Sequence, residues 1–412
     1  MSTRQLWMIG CLVYSASVMA EENDYIGTTA GIQIQPSVNI SSEYRSNLYL
    51  EEGPAGGGDP VTAGTALLIN PVFVLRNQGP TVQTQFSGGY GARKYFQTEL
   101  QNLNSFNDGR FDARIVVLPR SPINFAITDG FSSNNRPVNQ PESKSALIRV
   151  YDNKSKATAM FGNNALKMGL GGLYNFYQVR GLKDSNGVQT LINQRNTYGL
   201  SWNGQWKFLP KTSVFVDGSY YQNNWMNNTI ETSTGTTNIY DSSAWDTSFG
   251  LEGQWSSKTI VRLGSGLGGA TYGDQTVADA TISGLKERLR IDSGIRIKPT
   301  SAQEFRIEYK RSFQDVYFTN YDLYNQIDLG YDVRLQDRAN VKTAFMYRND
   351  NYDGPVDRTD HRLRAVAGVD YTLMQHLTLE ASANWRRLAS ADGIASIEYD
   401  DVGVLFGLHW GY

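Results

Sequence analysis

Residues 402–412 read VGVLFGLHWGY. Val402, Val404, Phe406, Leu408, Trp410 and Tyr412 take every second position, and Gly403, Gly407, His409 and Gly411 fill most of the gaps. Chain ends usually fray and carry little pattern. This one alternates to its final residue and stops on an aromatic. A period of two sets large apolar side chains on one face of a strand and small or polar ones on the other. A last strand with such order is held on both edges. In a chain made of strands, the partner left for its free edge is the first strand, so the sheet closes into a cylinder.

The same alternation runs back through the chain. Phe305, Ile307 and Tyr309 alternate with Arg306, Glu308 and Lys310; Ile327, Leu329, Tyr331, Val333 and Leu335 with Gln326, Asp328, Asp332 and Arg334. Leu363 to Leu373 and Leu377 to Trp385 repeat the pattern against Arg362, Arg364, Asp370, Glu380 and Arg386. Period 3.6 is hard to find. Tight turns are expected at 77–80, 119–122, 162–164, 209–211, 256–258, 298–300, 335–338 and 373–376, about forty residues apart. Longer polar stretches such as EEGPAGGGDP and NNTIETSTGTTN fall between them. Short turns alternating with long loops, with one apolar and one ionic face on nearly every strand, describe a transmembrane barrel. Hydrocarbon offers no hydrogen bonds, so only helices or closed barrels cross it. The fold expected is all-β, an antiparallel up-and-down barrel of about eighteen strands.

The first twenty residues differ from the rest. Arg4 precedes an apolar run from Leu6 to Tyr14, and Val18-Met19-Ala20 has the small-residue form of a cleavage site. Residues 1–20 read as a secretory signal and 21–412 as the barrel. The single cysteine, Cys11, lies in the signal, so the exported chain has no disulfide and draws its stability from an extensive fold. Lys and Arg number 38 against 40 Asp and Glu, which leaves no bulk charge for nucleic acid.

Few motifs carry chemistry. Glycine clusters at 169–172 and 264–273 lie within alternating strands and lack the following helix that a phosphate loop needs; glycine there lets a strand bend or receive a neighbouring aromatic. His361, His376 and His409 have no metal-ligand spacing. No catalytic residue, metal or cofactor is expected, and the chain is not read as an enzyme. Trp206, Trp255, Tyr309, Tyr331, Tyr371 and Trp385, with Phe406, Trp410 and Tyr412 of the last strand, suit the membrane interface. The segment 130–160 is weakly patterned. It reads as a long outer loop with a strand near 145–160, or as a loop folded into the lumen.

The strongest functional signal is charge on the inward face. Arg288, Arg290, Arg296, Arg306, Lys310, Arg334, Lys342, Arg348, Arg362, Arg364 and Arg386 are candidate lumen cations, against Asp292, Glu308, Asp328, Asp332, Asp370 and Glu380. One reading is Arg–acid bracing of the wall. The other is a basic conduit for an anionic solute, since arginine presents a planar fork of donors to a carboxylate and rings of cations make a pore anion-selective. On that reading, reversing Arg362 and Arg364 lowers anion preference and leaves assembly intact. Tyr221 and Tyr324 are inward aromatics able to stack on sugar rings or merely fill space.

Residues 31–53, GIQIQPSVNISSEYRSNLYLEEG, make a first strand with a polar centre leading into a Gly/Pro-rich loop. This resembles the β-barrel porin family encoded in bacterial exopolysaccharide and capsule operons, whose first strand ends in a motif such as DDNLF. Asn47 and Tyr49 match; Arg45 and Ser46 stand where acids are usual. The last strand is similar to the C-terminal signal that the barrel-assembly machinery reads. The resemblance implies a channel in the outer membrane of a Gram-negative bacterium, in contact with outer-membrane lipid. It would export a polysaccharide and work with a periplasmic polysaccharide export protein. A general diffusion porin and a structural or adhesive barrel are the alternatives.

Overall fold

The computed structural model describes residues 26–27, 31–47, 63–97, 100, 105–137, 147–163, 165–183, 189–226, 229–232, 235–238, 240–273, 288–315, 321–336, 338–353, 358–391 and 398–411. The expected signal segment, Tyr49, residues 138–146 and Tyr412 lie outside them. In chain order the strands are β1 (Ile26–Gly27), β2 (Ile32–Arg45), β3 (Gly64–Gln78), β4 (Val82–Tyr95), β5 (Ser105–Val117), β6 (Ile123–Pro137) and β7 (Leu147–Gly162). They continue with β8 (Leu166–Lys183), β9 (Gln189–Leu209), β10 (Thr212–Trp225), β11 (Thr229–Thr232), β12 (Gly235–Asn238), β13 (Ser242–Ser256) and β14 (Thr259–Tyr272). The last are β15 (Leu289–Thr300), β16 (Gln303–Asp315), β17 (Tyr321–Leu335), β18 (Ala339–Asp353), β19 (Arg358–Met374), β20 (Leu377–Ser390) and β21 (Tyr399–Gly411).

Eighteen of these strands form a closed antiparallel barrel. Each pairs with its sequence neighbours, and the ring closes where β21 lies on β2, with Ser37 opposite Gly411 and Arg45 opposite Gly403. β1 adds a two-residue pairing outside the ring on β2, and β11 and β12 make a small separate hairpin between β10 and β13. The alternation at the chain end therefore has its cause: β21 is hydrogen-bonded along both edges, to β20 and to β2. Tight turns fall where expected except one. Lys298-Pro299-Thr300 belongs to β15, and the reversal comes after it, between Thr300 and Gln303. The ladder is irregular between Ile297 and Thr300, which accommodates a proline without a ladder donor.

Apolar positions point out. Phe406, Leu408 and Trp410 are 64%, 37% and 43% exposed, as a lipid-facing surface requires. Aromatics mark both edges of this band. Phe73, Trp206, Phe208, Trp255, Tyr371 and Trp410 lie toward the short-turn rim, where Phe305 stacks on Tyr331 at 4.4 Å. Tyr44, Tyr90, Tyr220 and Trp245 lie toward the long-loop rim. Such rings settle where apolar tails meet water. Among the described residues no helix is long and apolar enough to cross a membrane.

The strand expected near 145–160 is present as β7, whereas residues 130–137, expected as loop, continue β6. β6 runs to Pro137 and β7 begins at Leu147, paired residue by residue. The pattern was lost because the outer face here is polar. Asp129 accepts from the Ser155 hydroxyl at 2.5 Å and the Asn153 amide at 3.2 Å, so three outward positions that alternation assigns to apolar residues carry hydrogen-bonding groups.

The glycine clusters serve packing. Phe215 faces inward opposite Gly250, which in turn faces Gly264. A Cβ on Gly250 would stand 2.6 Å from the Phe215 ring and 2.0 Å from the Leu263 carbonyl. The ring lies flat along the wall because both neighbours lack side chains. Gly250→Val is expected to displace the ring and cost about 1–3 kcal/mol, read as a lower urea midpoint for the folded barrel in lipid.

Candidate functional site

Strand register decides which side chains enter the lumen. Arg290, Arg296, Arg306, Lys310, Arg334, Arg348, Arg362, Arg364 and Arg386 all fall on the inner face, opposite in parity to the exposed apolar residues. Their partners decide what they are available to do. Arg348 holds Asp322 and Asp350, each at 2.5 Å. Arg362 meets Asp350 at 2.6 Å and donates to the Tyr352 hydroxyl. Arg386 and Arg45 share Asp401, at 2.6 and 2.7 Å. Lower in the wall, Arg306 holds Asp332 at 2.6 Å, Arg296 and Lys298 share Glu304, and Lys342 meets Asp370 at 2.8 Å. Arg290 is buried with its guanidinium 3.7 Å over the Phe313 ring.

This arc, β15 to β21, is therefore braced rather than basic. The two-to-one ratio of cations to acids read from the sequence does not hold here, because Glu304, Asp322, Asp350, Asp360 and Asp401 join the six acids expected while only Lys298 and Arg358 join the cations. Four of the five sit near strand ends beside long loops, where alternation is cut short, and Glu304 adjoins the misplaced turn. Tyr324 and Tyr221 are likewise committed to the wall. Arg348 lies 3.9 Å over the Tyr324 ring. Tyr221 packs against a buried cluster of Ala244, Ala270, Tyr272, Phe313, Tyr321 and Leu323, which closes the wall above the short strand β15.

The motif residues of the first strand also have a structural task. The Asn47 backbone N–H donates to Asp401 at 3.2 Å, and its side chain donates to the Asp400 carbonyl at 3.1 Å. Arg45 and Asn47 thus extend the β2–β21 seam beyond the last ladder bond.

The basic surface lies on the other arc, β3 to β9, which the sequence reading passed over. Among the described residues its inner face carries Arg76, Arg93, Arg110, Arg114, Lys154, Lys156, Lys167, Arg195 and Lys207, against Asp108, Asp112 and Asp152. Arg110 and Asp112 pair at 2.6 Å, Lys154 and Asp152 at 2.5 Å, and Arg93 reaches Glu43 at 3.5 Å. Arg195 stacks between Tyr177 and Trp225. Arg114, Lys156, Lys167 and Lys207 form no ion pair among the described residues. The signal was present as the period-two spacing of Lys154 and Lys156 and of Arg110 and Arg114; the polar outer face of β6 and β7 hid the strands that carry it.

Between the arcs stands Arg262 of β14. It is held by Glu252 at 2.8 Å, Asp217 at 3.2 Å and Asp292 at 3.3 Å, and lies 3.8 Å over the Phe215 ring. Three carboxylates from three strands converge on one guanidinium, whose five donors suit that number. The lumen thus has a basic arc and an ion-paired arc, joined at an acid-rich junction. No cluster of three or more His, Cys, Asp or Glu side chains able to hold a metal occurs among the described residues.

No known protein family matches the chain, and no curated protein does. Solved structures similar to it include the FrpB iron transporter of Neisseria meningitidis, at 8% identity, covering 92% of this chain and 81% of that one, with a TM-score of 0.47. The siderophore receptor PirA of Acinetobacter baumannii is similar at 7% identity, over 92% and 80% of the two chains, with a TM-score of 0.49. The copper transporter OprC shares 10% identity over 92% and 80%, with a TM-score of 0.45. Likeness at this level does not carry over what those proteins transport. The closed barrel of this chain follows from its own strand pairing.

Proposed function

We propose that the chain is a passive channel of the Gram-negative outer membrane that lets an anionic polysaccharide leave the cell. The observation that carries this reading is the uneven inner wall: an arc with surplus Arg and Lys faces an arc whose charges largely neutralise one another. A barrel of this strand number encloses water rather than a packed core. Low-dielectric walls focus the field of the surplus cations into the lumen. A chain of acidic sugars gains weak, repeated contacts along the basic arc and leaves as easily as it enters, which is what conduction requires. No bond is made or broken, so neither catalyst nor cofactor is needed. The aromatic-ended β21 suits capture by the barrel-assembly machinery, and the short-turn rim offers the place for a periplasmic export protein.

Deleting the gene tests the reading. Cells are expected to retain the polysaccharide in the periplasm and lose it from the surface, measured by uronic acid assay of washed cells. Unchanged surface glycan counts against export and leaves a general diffusion pore as the better account.

A further inference from the structure

The middle of the inner face of β6 is nearly bare. Between Asn124 and Asn134 it presents only Ala126, Thr128, Gly130 and Ser132, with charged strands on both sides. Arg114 of β5 stands opposite Thr128, and Thr128 stands opposite Lys156 of β7. Adjacent strands are 4.7–4.9 Å apart, so the two cations rise from points about 10 Å apart across a floor of small residues. The next rows are self-neutralised, Arg110 by Asp112 and Lys154 by Asp152. Arg114 and Lys156 are left as the surplus. The acid whose charge reaches Lys156, Asp217, is itself held by Arg262 at 3.2 Å. The Thr128 hydroxyl donates to the Lys156 carbonyl at 3.5 Å, which fixes its oxygen toward the groove wall.

We infer that this groove on β5–β7 is a binding site for a carboxylated sugar: a uronic acid residue lies on the Thr128–Gly130–Ser132 floor with its carboxylate between Arg114 and Lys156. The inference rests on the reading that the lumen carries an acidic glycan, and narrows it to one place and one ligand group. The width fits a single pyranose ring. A bulky side chain at position 126, 128, 130 or 132 would fill the space, and Ala126, Thr128, Gly130 and Ser132 are all small. Arginine supplies a planar pair of donors to the carboxylate and lysine a movable point charge. The floor adds the Ser132 hydroxyl as a donor to the ring oxygen, and the Thr128 oxygen, its proton already given to the Lys156 carbonyl, accepts from a sugar hydroxyl.

The test uses the whole purified barrel in planar bilayers, with trigalacturonate as probe and neutral maltotriose as control. Trigalacturonate is expected to block the ion current at least tenfold more strongly than maltotriose. Arg114→Gln with Lys156→Gln is expected to leave the weak block by maltotriose unchanged and to weaken the block by trigalacturonate about tenfold or more. The conservative pair Arg114→Lys with Lys156→Arg should retain most of it. Equal block of the wild type and the Gln pair overturns the site, as does no block of an open wild-type channel. If the wild type carries no current, the channel reading falls, and calorimetry with trigalacturonate on the detergent-held barrel decides the groove separately. Binding that the Gln pair loses supports it; absence of binding overturns it.

Discussion

Asp401→Ala is expected to be the most destabilising single change in the lumen wall, at about 3–5 kcal/mol, the range for removing one partner of a buried ion pair. The Asp401 side chain is fully buried. Its carboxylate accepts from Arg45 on β2, from Arg386 on β20 and from the Asn47 backbone. Without it two guanidinium groups lie close together with no counter-charge, and the strand that begins the ring loses its grip on the strand that ends it. Equilibrium unfolding in urea from lipid vesicles should show the loss, and the folded band on unheated gels should fade. Asp401→Asn keeps the shape and some hydrogen bonds, so its loss should be smaller. If Asp401→Ala unfolds at the wild-type midpoint, the seam is held by the backbone ladder alone.

Reversing Arg362 and reversing Lys156 are expected to do opposite things. Arg362→Glu places a third carboxylate beside Asp322 and Asp350, both fully buried, and leaves Arg348 alone to offset them. The Arg362 side chain is 40% exposed, so solvent softens the cost; a loss of about 2–3 kcal/mol is expected. Assembly yield falls, while the ion selectivity of barrels that do form changes little. The earlier expectation of altered selectivity with intact assembly is thereby reversed for this residue. Lys156→Glu meets no acid partner to repel at contact range and should assemble normally. It should shift the reversal potential in a salt gradient toward cation preference, lowering the anion-to-cation permeability ratio severalfold. A Lys156→Glu channel with unchanged reversal potential would remove the basic arc from the permeation path.

The barrel was legible because lipid imposes a strict rule on alternate residues. From Phe305 onward that rule is followed along the middle of each strand, and there the strands and turns follow directly. It fails where the outer face is polar. Asp129, Asn153 and Ser155 satisfy one another, so β6 and β7 do not look like membrane strands, and the basic groove they frame went unread. Partnership was the other illegible quantity. Alternation tells that Arg348 and Arg386 point inward. Which acid each one meets depends on lateral register between strands, and Asp322 and Asp401 sit where loops interrupt the count. Asn47 was noticed as part of a motif, but its task at the seam depends on residues about 350 positions away.

The pairing of β2 with β21 has a bearing on how the molecule is made. The first wall strand to be synthesised waits for the last before its outer edge is covered. Until then two ladders of unpaired amides stay open to any passing sheet, the usual seed of aggregation. No part of the ring can finish ahead of the rest, so the nascent polypeptide must be escorted whole to its bilayer and sealed there in a single closing event.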